Sequence, residues 1–201
     1  MCAAKRLSES ERKQEIMDSA AKVIIAKGFE KTTMEEIIAG TSLSKGGVYH
    51  HYRSVIEIFK DIMLCGIEYR HAIILEHLTA YEQNLTKEFT VKELVTKMVD
   101  DNPYTPLYIE FLMAKKRNPE LASLMQELQE QTKEKFKMMS NSCPRWVEDD
   151  DTFQFVTDFT NAMILAANLL DARENFSKNR HILEQMMMCI FDNQECDGTI
   201  G

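Results

Sequence analysis

The chain has 201 residues, 44% of them hydrophobic, with only seven Gly and four Pro to interrupt helices. It is therefore long enough to bury one or two cores, and the absence of alternating runs flanked by turn pairs excludes a β class and predicts an all-α protein. The formal net charge of −8 argues against a nucleic-acid partner for the whole molecule, but residues 1–60 hold ten Lys and Arg against eight Asp and Glu, whereas residues 61–201 hold fourteen against twenty-four. A weakly basic end is carried on an acidic body.

In chain order, Ser8-x-x-Glu11 is a capping box, and Ile16, Ala20, Val23 and Ile24 repeat at helical spacing toward a stop at Gly28. Lys5, Arg6, Arg12 and Lys13 gather at the start of this helix, where positive charge opposes the dipole; they form either a solvated basic arm or a set of phosphate contacts. Thr33-x-x-Glu36 opens a second, brief helix whose Met34, Ile37 and Ile38 share one face, and the run decays at Ala39-Gly40-Thr41-Ser42, with Leu43 placed to plug the corner.

A third helix is predicted to start after the N-cap Ser44, with Lys45, Gly46 and Gly47 in its first turn and Val48, Tyr49, His50, His51 and Tyr52 following. Helix, corner and helix make a helix-turn-helix. Two adjacent glycines lower helix propensity by roughly 1 kcal/mol each, so packing or function must compensate. They also leave the helix start bare, and its free amides favour an approaching anion.

These residues carry a resemblance. Arg12 to Met63 resembles the N-terminal DNA-binding domain of the TetR family of transcriptional regulators, through Ala20-Ala21, Gly28-Phe29, Thr32-Thr33 and Ser44-Lys45-Gly46-Gly47-Val48-Tyr49-His50-His51-Tyr52. The resemblance implies a three-helix DNA-binding domain over residues 1–53, followed over residues 54–201 by a larger helical domain for ligand binding and dimerisation. On the recognition helix, Lys45, Gly47 and His50 are the candidates for base contacts, with Gly46 bare beside them. Thr33, Ser44, Tyr49 and His51 are the candidates for phosphates, Tyr49 by its place in the motif, and Tyr52 is expected in the core. The chain departs from the family twice: Ser54-Val55 replaces the usual Ser-Lys, removing a phosphate contact unless Arg53 or Lys60 supplies it, and Thr41-Ser42-Leu43 replaces the usual Ala-Gly-Val corner.

Beyond the motif, Ile56, Phe59, Met63, Ile67, Ile74 and Leu78 sustain a long connecting helix to about Tyr81. After a polar break at 84–88, Val91, Leu94, Val95 and Met98 mark a helix ending near Asp100, and Pro103 and Pro106 bracket an elbow. A short helix carries Leu107, Tyr108, Phe111 and Leu112, a longer one runs from Glu120 to about Met139, and 140–144 reads as a loop. The acidic run Glu148 to Asp151 precedes a helix expected from Thr152 to about Arg173, and a last helix is expected from Lys178 to Asp192. Both are apolar on more than one face, which points to a partner surface. The resemblance implies a homodimer through these last two helices, with two reading heads on adjacent major grooves of a pseudo-palindromic double-stranded DNA operator.

The same resemblance implies a small-molecule inducer held in the body, apolar or amphipathic with a few hydrogen-bonding groups. Candidate lining residues are His71, Met98, Tyr108, Leu112, Met125, Gln129, Phe159 and Met163; most of the thirteen Met are expected to be ordinary core. Asn161 and Asn168 are further polar groups on apolar helices, and all such groups are more often satisfied by protein than by ligand. The function expected is that of a ligand-responsive regulator, by family default a repressor. The rival reading is a helical adaptor whose helix-turn-helix is not used on DNA.

No G-x-S-x-G, H-E-x-x-H or G-x-x-x-x-G-K occurs, so no enzyme is expected, and neither is a cofactor. Five cysteines without C-x-x-C spacing predict reduced thiols and no metal site. With no run of eighteen apolar residues and no leader pattern, a cytoplasmic protein without a membrane partner is expected.

Overall fold

The computed structural model describes residues 8–80, 85–139 and 145–196, with side chains to residue 192. Among these residues there are eleven α-helices, one 3-10 turn and no strand. The helices are α1 (Glu9–Lys27), α2 (Met34–Ala39), α3 (Lys45–His51), α4 (Val55–Ala80), α5 (Lys87–Val99), α6 (Thr105–Ala114), α7 (Pro119–Met139), α8 (Arg145–Glu148), α9 (Asp150–Leu169), α10 (Arg173–Lys178) and α11 (Arg180–Cys196); the 3-10 turn is Phe29–Lys31. No helix in the described residues is long and apolar enough to cross a membrane.

The chain forms two compact units. The first comprises residues 1–68 and 103–128, so that α6 and the start of α7 join the first three helices; the second comprises residues 69–102 and 129–201. The functional division expected at residue 54 falls inside the first unit, just before α4.

In the first unit both capping boxes form as the spacing requires: Ser8 and Glu11 satisfy each other's amides, and so do Thr33 and Glu36. Ile16, Ala20 and Ile24 of α1, Ile37 of α2, Val48 of α3 and Ile58 and Phe59 of α4 are wholly buried. This spacing places one apolar face of each helix in a shared core, and burial of each large side chain stabilises the unit by about 1.5–3 kcal/mol. Phe59 stacks on Phe29 (centroids 5.0 Å apart) and meets Phe111 edge-on at 6.1 Å.

The second unit is built on Val91, Val95, Met98 and Val99 of α5, Trp146 and Val147 of α8, Phe153 and Val156 of α9, and Leu183, Met187 and Phe191 of α11. Trp146 is packed by Phe136, Phe153 and Phe191. One buried ionic clasp lies here: both oxygens of the Glu93 carboxylate are engaged from α4, by Arg70 at 2.6 Å and His77 at 2.7 Å.

The C-terminal half differs from expectation in two places. The helix read as Thr152 to about Arg173 starts at Asp150 and stops at Leu169. The start is set by Asp149, which accepts from the Thr152 amide at 2.9 Å, so one member of the acidic run becomes an N-cap. The stop is a C-terminal motif in which Leu170 N–H and Ala172 N–H both donate to Ala166 O while Asp171 adopts φ 53°, a left-handed position more often filled by Gly. Two short helices, α8 and α10, lie in stretches between the expected elements, where none was assigned. The 140–144 loop and the Tyr81 end of the connecting helix lie outside the described residues.

Candidate nucleic-acid interface

The site is assembled on the corner between α2 and α3. Thr41 Oγ1 donates to Ile38 O at 2.9 Å and accepts from Leu43 N at 3.3 Å, closing the end of α2. Ser42 Oγ donates to Glu15 of α1 at 3.1 Å, which ties the corner to the first helix. The hydroxyls of Thr41 and Ser42 thus do the work that a small-residue turn does elsewhere. Leu43 is half-buried against the corner.

Ser44 is the N-cap of α3, and its Oγ accepts from Gly47 N at 3.2 Å. A hydroxyl that accepts through one lone pair keeps its proton for an external acceptor such as a phosphate. Thr33 is committed further: its Oγ1 donates to Glu36 at 2.8 Å and accepts from the Glu36 amide at 3.4 Å. Hydrogen bonding to Thr33 and Lys27 holds the Glu36 carboxyl below the usual carboxylate range, with Lys27 the larger cause.

The glycines of this region are of different kinds. A Cβ on Gly40 would stand 2.2 Å from Ser19 Oγ, so packing requires that glycine, and Gly28 has φ +86°. Gly46 is exposed, and a Cβ there would meet no heavy atom within 4 Å; at Gly47 the nearest contacts, Ser44 Oγ at 3.4 Å and Leu43 Cβ at 3.6 Å, are ordinary. Neither has a positive φ. The fold therefore gives no reason for the pair, although it weakens the helix by roughly 1 kcal/mol per residue.

Lys45 is exposed, 3.7 Å from Glu35 and 5.8 Å above the Tyr49 ring. An exposed pair of this kind is worth about 0–1 kcal/mol, so the ammonium is easily released to another acceptor. Tyr49 is 38% exposed beside it. His50 is exposed and His51 half-buried, their rings edge to face at 5.1 Å. The rings of these neighbours thus touch, although successive helical residues point about 100° apart. Among the described residues no group of three or more His, Cys, Asp or Glu could hold a metal ion. Tyr52 is 3% exposed and donates to Asp61 at 2.8 Å, in the core as expected; burial, then Asp61, pushes its phenol up.

At the missing lysine, Val55 opens α4 and Lys60 is paired with Glu127 at 2.8 Å. Arg53 is exposed, with its amide donating to Glu57 at 2.7 Å and its guanidinium forming no ion pair among the described residues.

The candidate ligand residues are divided between the units. Tyr108, Leu112 and Met125 belong to the first, with Leu112 and Met125 buried and Tyr108 stacked on Phe111. His71, Met98, Gln129, Phe159 and Met163 belong to the second, where Met98 is part of the core cluster, Phe159 and Met163 are partly buried against it, and Gln129 donates to Gln154 at 3.1 Å. Asn168 donates to Ile164 O and accepts from Arg173, so its groups are used by the fold. Cys65 and Cys189 are free thiols, and burial pushes the Cys65 thiol up, against a reactive thiolate; the other three cysteines lie where no side chain is described.

Within the first unit, α1 to α3 form a capped three-helix arrangement with a bare, exposed start on the third helix, the geometry of a DNA-binding helix-turn-helix. Residues 16–62 match the model of the bacterial regulatory proteins of the tetR family. The chain is 24% identical over 140 residues to the uncharacterized HTH-type transcriptional regulator YfiR of Bacillus subtilis, covering 65% of this chain and 64% of YfiR, so the chain spans less than two thirds of that relative's length. It is 23% identical over 173 residues to IcaR, the HTH-type negative transcriptional regulator of the biofilm operon icaADBC of Staphylococcus epidermidis, covering 86% of this chain and 89% of IcaR. In fold it is similar to Salmonella enterica GusR, with a TM-score of 0.69 and 18% identity over 92% of this chain and 98% of that one. Residues 16–62 are thus similar to bacterial regulatory proteins of the tetR family, and the chain as a whole is similar to HTH-type transcriptional regulators.

Proposed function

We propose that the chain is a repressor that binds a pseudo-palindromic DNA operator as a twofold dimer and is released by a small apolar or amphipathic inducer. The observation that carries the DNA-reading part is the glycine pair at the start of α3: Gly46 and Gly47 weaken their helix, nothing in the fold needs them, and a surface without side chains is what a groove edge or phosphate requires for close approach. Lys45, free to leave Glu35, suits guanine O6 and N7, with Gly47 and His50 on the same groove-facing side. Ser44, Tyr49, His51 and Thr33 position the head on phosphates, Thr33 only if its hydroxyl leaves Glu36. Arg53, not Lys60, takes the phosphate left by Val55, because Lys60 is engaged by Glu127.

Dimerisation through α9 and α11 is supported by apolar side chains left in solvent there. Phe155 is 56% exposed, Leu169 53%, Ile182 44% and Met186 46%, at spacings that align along each helix. Repression is supported by the description of IcaR as a negative regulator.

The test is fluorescence anisotropy of the purified protein against duplexes selected from a random pool, across a salt titration with a scrambled control. Specific binding whose log affinity falls linearly with log salt is expected, and Lys45→Ala with Tyr49→Ala abolishes it. Equal, weak binding to selected and scrambled duplexes would instead favour an adaptor that no longer uses DNA.

A further inference from the structure

The 3-10 turn Phe29–Lys31 that follows α1 has no side-chain cap of its own. Its first amide, Phe29 N–H, donates at 3.2 Å to Glu110 Oε2, a carboxylate on α6 that is 81 positions away in sequence. Room for this contact comes from Gly28: a Cβ at that residue would stand 3.3 Å from the same oxygen, and its φ of +86° turns the chain out of α1. A second tie lies one residue on, where Glu30 accepts from Arg117 at 3.0 and 3.2 Å. The aromatic contacts Phe29–Phe59 and Phe59–Phe111 underlie both.

The corner between α1 and α2 is thus held on α6 by a charge-assisted bond to its backbone, stronger than a neutral one and partly shielded from water. The direction of α2, and with it the helix-turn-helix, follows from that corner. We infer that Glu110 is a positioning residue of the reading head: its carboxylate, by holding the Phe29 amide, fixes the angle at which α3 is presented. This rests on the reading of the chain as a dimeric operator binder, in which two heads must meet half-sites at one spacing.

The test uses the full chain and operator duplexes selected by the wild type, then the same duplexes with the half-site spacing changed by one base pair. Glu110→Met removes the acceptor while filling most of the volume, and Glu110→Gln keeps an acceptor oxygen. The wild type and Glu110→Gln are expected to prefer the selected spacing strongly, and Glu110→Met to lose that preference several-fold. In amide exchange, Phe29 N–H accelerates in Glu110→Met while the buried Ile37 amide of α2 does not. A preference retained by Glu110→Met overturns the inference, as does acceleration of both amides together, which would mark a general loss of stability. A Gln variant as indiscriminate as Met overturns the role of the hydrogen bond. A wild type that binds its duplexes without any spacing preference overturns the dimeric reading, and the inference falls with it; a wild type that keeps the preference isolates the failure to Glu110.

Discussion

At the scale of single residues, the clearest contrast is between glycines that the fold needs and glycines that it does not. Gly40 faces Ser19, whose hydroxyl donates to Ile37 O at 2.7 Å, so a methyl group there displaces a buried hydrogen bond. Gly40→Ala is expected to destabilise the protein by about 1–3 kcal/mol, read as a fall in melting temperature. Arg53 is expected to behave in the opposite manner: Arg53→Ala leaves stability unchanged, weakens binding to every duplex alike, and reduces the log–log salt slope by about 1. Both effects separate side chains that make the fold from those that face outward. The start and cap of α3 were legible in the sequence because capping and glycine placement are local signals. Glu15, Glu110 and Glu127 were not, since each acts on a residue far away in sequence and nothing local distinguishes them from solvated acids.

At the scale of elements, nine of the eleven helices among the described residues are readable from apolar spacing and capping, since most bury one face over several turns. Two of the differences from expectation have local causes. Helix α8 has four residues, too few for periodicity, and is held by burial of Trp146 and Val147. Helix α9 stops at Leu169, ahead of Asp171 in a left-handed conformation, and without the usual Gly the sequence carries no stop. Asp171→Gly is expected to stabilise the second unit by about 0.5–1 kcal/mol in thermal unfolding, since the left-handed strain on a side chain is relieved. In the same unit, desolvation and then Arg70 push the Lys97 ammonium down to about 8. The unfolded chain then holds more protons between about pH 8 and pH 10, so stability rises with pH across that window, by on the order of 2 kcal/mol. Lys97→Met is expected to flatten that rise in denaturant titrations at several pH values; an unchanged rise would assign it to another group.

At the scale of the whole molecule, the weakly basic head and the acidic body argue that DNA contact is confined to one end, and the exposed apolar side chains of α9 and α11 argue for a second copy. Met186→Glu is expected to shift the protein to a monomer in analytical ultracentrifugation, because a charge on a dimer seam is desolvated without a partner. A ligand site is the least legible feature: apolar side chains on buried helices look alike whether they line a site or fill a core, and of the candidates Met98 is in the core cluster while Phe159 and Met163 pack against it. The measurement that bears most directly on the central claim is operator affinity of Gly46→Ala beside its melting temperature. The added methyl group meets open space and improves helix propensity. A melting temperature equal to or above that of the wild type is expected, together with a loss of operator affinity of about tenfold or more, on the order of 1.4 kcal/mol. A Gly46→Ala protein that is as stable and binds its operator as tightly as the wild type would contradict the claim that DNA is read across the bare start of α3.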